Sequence, residues 1–356
     1  MGGAEVHLHE IFRRVVKKGH EVTLIAHKFD GARDQEIIDG IRIERIGNKF
    51  LFDKQFKNYY KSKINESNFD LIVDDISKIP LNIPSYSKIP VVGILHHIHG
   101  NSLYKEIPKP LAYYIIRKER QIPEFYKKAK IFTVSESTTA ELVNLGYDKN
   151  NTAILNNAID HDLFDNLNVE KFEKPTICYV GRIKKYKNIN LIIEAVKKLT
   201  YDFPSIKLYI GGKGDNLDNL KEQVQRLSLV KNVEFMGFLS EEEKAELLAK
   251  SWLFVTMAEK EGWGITVIEA NAVRTPAIGS DVEGLRDSIR DGETGFLVPR
   301  GNTYQLAEKI KKLIEDKSEL ERLSSNSFVW SKNFSWEKSA DFFLEKVVEW
   351  YPELKL

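Results

Sequence analysis

The run EKEGWGITVIEANAVRTPAIGS (259–280) has the layout of a strand end, a tight loop, a helix and the next strand. Gly262 and Gly264 flank Trp263 directly after the β-rich SWLFVTM (251–257), and a helical stretch opens near Ile265. Small residues there let the amides of the loop and first helical turn point outward, where the positive helix end favours a phosphate. Glu269 falls in the helix, where a carboxylate can accept hydrogen bonds from two ribose hydroxyls; Glu261, on the loop, can hold hydroxyls of a second sugar. The same spacing also fits a plain strand–turn–helix junction with two solvated glutamates.

Upstream, TICYVG (176–181) ends at Gly181, and VGRIKKYKN (180–188) projects Arg182 and Lys187 from the following loop. A planar guanidinium clamps phosphate oxygens through paired donors, and a lysine adds a mobile point charge, so two cations at a strand's carboxyl end suit a diphosphate. Lys184 and Lys185 fit an ordinary solvated loop. IKLYIGG (206–212), NVEFMG (232–237) and PAIGS (276–280) complete this strand series, each followed by a helical stretch. An earlier series comprises EVTLIA (21–26), IRIERI (41–46), DLIVD (70–74), PVVGIL (90–95) and IFTVS (131–135). Several of these runs are almost continuously apolar, as a parallel sheet covered on both faces requires. Ala4 to Lys18 reads as an amphipathic helix carrying Val6, Ile11, Val15 and Val16, with Gly19 as its stop. Ser135 reads as the N-cap of a helix running to Leu145 and ended by Gly146.

The fold class read from this alternation is α/β, with two tandem Rossmann-like domains facing across a cleft. Residues 1–160 form the first and 161–330 the second, divided by a polar stretch near Asp160 to Pro175. A C-terminal helix within 331–356, striped with Phe342, Phe343, Val347 and Trp350, is expected to pack back toward the first domain. Open α/β sheets bind ligands at the carboxyl ends of their strands, which makes the cleft the expected site.

At 356 residues, with 42% hydrophobic and 29% charged side chains, the chain has the make-up of a globular protein with room for two cores. A formal charge of +1 excludes the strong positive field of a dedicated nucleic-acid binder. The lone Cys178 has no intramolecular disulfide partner, and no apolar run approaches the roughly 20 residues of a membrane span. These features point to the cytoplasm, with the inner membrane surface as a further station. Residues 1–160 hold 24 Lys and Arg against 20 Asp and Glu, and the remainder 29 against 32. In the first domain, FLFDKQFKNYYKSK (50–63) and PLAYYIIRKERQIPEFYKKAK (110–130) interleave aromatic and basic residues, which suits an anionic lipid surface or a lipid-linked acceptor. Both runs equally fit amphipathic helices with solvated lysines.

These residues resemble the retaining family-4 glycosyltransferases, which have the GT-B architecture. The resemblance is carried by GGAE (2–5), PVVGILHH (90–97), TVSES (133–137), LNNAIDHDLF (155–164), Gly181–Arg182, Lys187, IGGKG (210–214), the Glu261/Glu269 pair and the block 276–299. It covers essentially the whole chain. It implies transfer of a sugar from a nucleotide-diphosphate sugar to a glycan, lipid-linked or small-molecule acceptor, with retention of configuration. Arg182 and Lys187 would neutralise the departing diphosphate. Glu269 would bind the ribose, and Glu261 with the backbone of Gly262, Trp263 and Gly264 would hold the transferred sugar. Gly2 and Gly3 would approach the diphosphate from the first domain. His96 would lie near the reacting centre, with His97 the alternative register in HHIH. Backbone near MGFL (236–239), around Phe238, would set base choice. No metal or other cofactor and no nucleic acid is expected. The Asp74-Asp75 pair ends a strand of the first domain and reads as a helix cap or an acceptor-side polar pair.

Asn157-Ala158 stands where the family usually has Asn-Gly, and Asn188 where glycine is common. The family also has a strand immediately before the GGAE loop, which this chain lacks; a start codon placed too late is the expected reason, and loss of the strand would expose two sheet edges. An NAD-dependent oxidoreductase is the rival from another enzyme class, but IGGKGD (210–215) lacks the third glycine of the dinucleotide fingerprint. A pyridoxal-phosphate lysine motif, which a phosphorylase would carry, is missing. An inert nucleotide-sugar-binding protein and a nucleotide-sugar epimerase of the same fold remain as alternatives.

Overall fold

The computed structural model describes residues 3–48, 51–64, 69–105, 107–165, 167 and 169–354. The chain divides into two units, residues 1–157 with 336–356, and residues 158–335. The first division thus falls after Asn157, and the second unit continues to Ser335, where Ile159 and Ser335 form a parallel bridge.

In unit 1 the strands are β1 (Thr23–His27), β2 (Gln35–Ile38), β3 (Ile41–Ile46), β4 (Ile72–Asp75), β5 (Val91–Leu95), β6 (Lys130–Thr133) and β7 (Thr152–Ile154). Among the described residues they form a sheet of order β1-β3-β2 and another of order β4-β5-β6-β7. Pairing is parallel except for the β2–β3 hairpin. Every residue of β5 is buried, as expected of VVGIL in a sheet covered on both faces. The first helix runs Gly3–Lys17 and buries His7, Ile11 and Val15, which recur every four residues on one face. Ser135 caps the helix Glu136–Asn144, its hydroxyl accepting from the Thr138 amide at 3.1 Å.

The helix Trp336–Trp350 lies on the helix Gly3–Lys17 within the same unit. Phe343 meets Phe12 at 5.3 Å and Phe132 at 5.4 Å between ring centroids, and Trp350 meets Phe132 at 4.6 Å. Lys18 bridges Glu337 at 2.8 Å and Asp341 at 2.7 Å, and the Tyr351 hydroxyl donates to the Val91 carbonyl at 2.9 Å.

Unit 2 carries β8 (Thr176–Val180), β9 (Lys207–Gly211), β10 (Val233–Gly237), β11 (Leu253–Thr256), β12 (Ala277–Ser280) and β13 (Gly295–Val298). They form one parallel sheet of order β10-β9-β8-β11-β12-β13. Ile177, Leu208, Ile210, Val255 and Ile278 project into a core closed by Ile192, Ile193 and Val196 of the helix Ile189–Leu199 and by Leu306 and Ile310 of the helix Thr303–Glu315. Each such side chain contributes roughly 1.5–3 kcal/mol of burial. The strand order places β8 and β11, with the loops that follow them, side by side at the middle of the sheet.

Candidate functional site

The carboxyl ends of β8, β9 and β10 are joined backbone to backbone. The Gly181 amide donates to Gly211 O at 3.0 Å and the Gly212 amide to Gly237 O at 2.6 Å. Gly212 has φ +137°, and a Cβ there would lie 1.9 Å from Gly181 O, so only glycine lets these loops stack. On this base Arg182 is exposed, donating to the Tyr186 hydroxyl at 2.9 Å.

The loop after β8 is tied to the loop after β11. Asn188 Nδ2 donates to Met257 O at 3.1 Å, and the Glu259 amide to Tyr186 O at 2.8 Å. These bonds seat Lys187 against Glu261, with which it forms a short ion pair. Both side chains are largely shielded from water, and each is the other's counter-ion. Gly284 backs this loop, because a Cβ there would stand 2.2 Å from Glu261 O. Gly264, at φ +89°, precedes the helix Ile265–Ala272, whose first amides lack intrahelical carbonyl partners by construction.

Glu269 sits on that helix and is buried. Its carboxylate accepts from Lys244 Nζ at 2.7 Å, and Lys244 also reaches Glu241 at 2.6 Å. Burial raises the Glu269 pKa, and Lys244 opposes that shift. Phe238 follows β10 and is 69% exposed, with Lys213 Nζ 5.4 Å from its ring centre. The Trp263 side chain is only 3% exposed and packs edge-on against Phe334 at 4.8 Å. Its indole anchors the loop, which agrees with a reading that uses only the backbone of residues 262–264.

In unit 1, Gly2 and Phe50 lie outside the described residues, and Gly3 is exposed at the start of the first helix. His96, just past β5, brings Nε2 to 3.2 Å from Asp75 Oδ1, without the alignment of a hydrogen bond. Its ring meets His7 edge-on at 5.1 Å. His7 shares its Nε2 hydrogen with Leu155 O at 3.2 Å, and burial, then the His96 ring, lower its pKa to about 3. His97 Nε2 lies 2.9 Å from His99 Nε2, and His99 Nδ1 lies 2.9 Å from Glu119 Oε1. Glu119 also accepts from the amides of His99 and Gly100 at 2.8 and 2.9 Å. Burial alone would raise the Glu119 pKa; the His99 ring and these amides bring it below the ordinary value.

Asp74 is neither a helix cap nor an open polar group. It is buried within β4 and accepts a short hydrogen bond from Tyr126. Burial, opposed by that bond and aided by Asp75, pushes its pKa up to about 7. Phe56 and Tyr60 of the first aromatic–basic run are also core residues.

Sequence reasoning missed His7, His99, Glu119 and Lys244. His7 carries a signal, since it precedes Ile11 and Val15 by four and eight residues on the buried face. Lys244 carries none, being separated from Glu269 by 25 residues.

Two family models cover most of the chain: Glycosyltransferase Family 4 over residues 1–163 and Glycosyl transferases group 1 over residues 162–330. The chain belongs to the family-4 glycosyltransferases. The alpha-D-kanosaminyltransferase of Streptomyces kanamyceticus is 30% identical over 155 residues, 44% of this chain and 40% of that protein. The chain spans about half the length of the first curated relatives it matches. Among solved structures, sucrose-phosphate synthase from Thermosynechococcus elongatus superposes with a TM-score of 0.81 at 20% identity, covering 99% of this chain and 94% of that one. Anabaena HepE, in complex with UDP and glucose, gives 0.75 at 18% identity, covering 98% and 96%. At these identities the likeness is one of fold, and the fold of this glycosyltransferase family member is GT-B.

Proposed function

We propose that the chain transfers a sugar from a nucleotide-diphosphate sugar to a hydroxyl of a glycan, lipid-linked or small-molecule acceptor, with retention and without a metal. The observation that carries this reading is the joined pair of loops after β8 and β11, which presents Arg182 beside the Lys187–Glu261 ion pair. Cleavage of a glycosyl–phosphate bond builds negative charge on the diphosphate. Fixed cations and helix amides can stabilise that charge where it develops. Arg182 would exchange the Tyr186 hydroxyl for a phosphate oxygen, and Lys187 would turn from Glu261 toward the diphosphate. Glu261, so released, would accept sugar hydroxyls, while Glu269 holds the ribose. The acceptor oxygen would bond to the anomeric carbon on the face the phosphate leaves, and its proton would pass to the departing phosphate oxygen.

A thermal-shift panel of UDP, GDP and ADP with their sugars, in EDTA, tests this. Saturating nucleotide at about 100 times its Kd adds about 2.7 kcal/mol of stability and so raises the melting temperature. Stabilisation by none of them would defeat the donor reading. An inert nucleotide-sugar binder would show the shift without turnover.

The surface of the helix Lys109–Glu119 favours a lipid-linked acceptor at the inner membrane surface. Leu111, Tyr113 and Tyr114 are exposed there beside Lys109, Arg117 and Arg120. Among the described residues no helix is long and apolar enough to cross a membrane, so contact would be peripheral. Co-sedimentation with anionic but not neutral vesicles, lost in Tyr113→Ser/Tyr114→Ser, is the expected result.

A further inference from the structure

The Glu269 carboxylate has an ammonium partner on a second helix, Lys244. The helix Glu241–Lys250 starts at a capping box: the Ser240 hydroxyl accepts from the Glu243 amide at 3.2 Å, and the Glu243 carboxylate accepts from the Ser240 amide at 2.8 Å. That box sets the register of the helix and aims Lys244 at Glu269, where the two side chains are 14% and 10% exposed. A buried carboxylate without a counter-charge takes up a proton, and a protonated acid offers fewer lone pairs and gains a donor of its own. Lys244 occupies one site on Oε1, and an ionised carboxylate has about four lone-pair sites. Lone pairs are left for two hydroxyls.

We propose that Lys244 is a positioning residue for the donor: it holds the buried Glu269 carboxylate in place as an anion, ready to accept the two ribose hydroxyls. The inference rests on the reading of Glu269 as the ribose ligand. It extends that reading to a residue that touches no part of the substrate.

The test uses the full chain and calorimetric titration. The ligands are whichever of UDP, GDP and ADP binds most tightly, and its 2′,3′-dideoxy analogue. Lys244→Met is expected to weaken the ribonucleotide by about tenfold, the scale of a hydrogen bond to a charged group. It should weaken the dideoxy analogue by less than about twofold, because the hydroxyls that need the anion are gone. Lys244→Arg, which keeps the charge, should restore most of the difference. Should Lys244→Met melt below the working temperature, Lys244→Gln carries the same comparison. Equal losses for both ligands, or no loss for either, overturn the role of Lys244. Glu269→Ala separates the two readings. If it discriminates between the ligands and Lys244→Met does not, only Lys244 loses its role. If Glu269→Ala is itself blind to the hydroxyls, the ribose reading falls and takes this inference with it.

Discussion

Unit 2 buries one parallel sheet of six strands, whereas the described strands of unit 1 are shared between sheets of three and four. In unit 2 the middle strands are buried along almost their whole length. In unit 1, β1 is only half-buried although TLIAH is as apolar as many of the strands of unit 2, and Leu24, Phe29 and Ile37 stay exposed nearby. An apolar strand needs neighbours on both edges and layers on both faces, so continuity of the sheet decides how much of its surface leaves water. The buried carboxylates repeat the contrast. Glu269 in unit 2 faces an ammonium, and Asp74 in unit 1 accepts from a neutral phenol beside the like-charged Asp75. Equal burial thus leaves one carboxylate with a counter-charge and the other without.

The largest effect should come from Gly212→Ala, which breaks the loop stack of unit 2. Its Cβ would meet backbone at 1.9 Å, where nothing flexible can yield. A loss of more than about 3 kcal/mol in urea unfolding is expected, with nucleotide binding lost alongside. A loss under about 1 kcal/mol would show that the stack can part. Next, Arg182→Ala should lower kcat by about 10²–10³-fold, the scale of removing one donor to a developing anion, with a smaller change in donor KM. Full turnover would remove Arg182 from the leaving-group role.

The smallest effect sharpens the carboxylate contrast. The pKa of Asp74 is raised above its unfolded value to about 7, so its contribution is fully present below about pH 4 and fades as pH rises through 7. Asp74→Asn keeps an acceptor for Tyr126 without a charge. It should therefore stabilise the protein by about 1–3 kcal/mol at pH 8 and leave it nearly unchanged at pH 4. Equal melting shifts at both pH values would mean that Asp74 does not titrate in this window.

Much of the fold was legible. IRIERI coincides with β3, and TICYVG, IKLYIGG and NVEFMG each contain a strand of the sheet in unit 2, because near-continuous apolar runs with glycine stops have few other uses. β2 went unread although IIDGIRI holds its signal: Asp39 and Gly40, at φ +49° and +82°, form the tight turn of a hairpin. The strand β7 holds three residues, too few for a period to show. At the candidate site, the places of Arg182, Lys187 and Glu261 on loops after two strands followed from strand–loop spacing, whereas the adjacency of those strands came from the sheet order. The fate of Trp263 did not, because flanking glycines mark a loop but say nothing of Phe334, 71 residues away.

Local order along the chain was therefore enough to determine the alternating α/β plan, the glycine loops and the residues those loops carry, since each depends on side-chain period and backbone freedom over a few neighbours. Which charges face one another was decided only by the folded structure. Lys187 with Glu261, Lys244 with Glu269 and Glu119 with His99 each join separate elements, and burial gives such pairs their strength only after packing has excluded water.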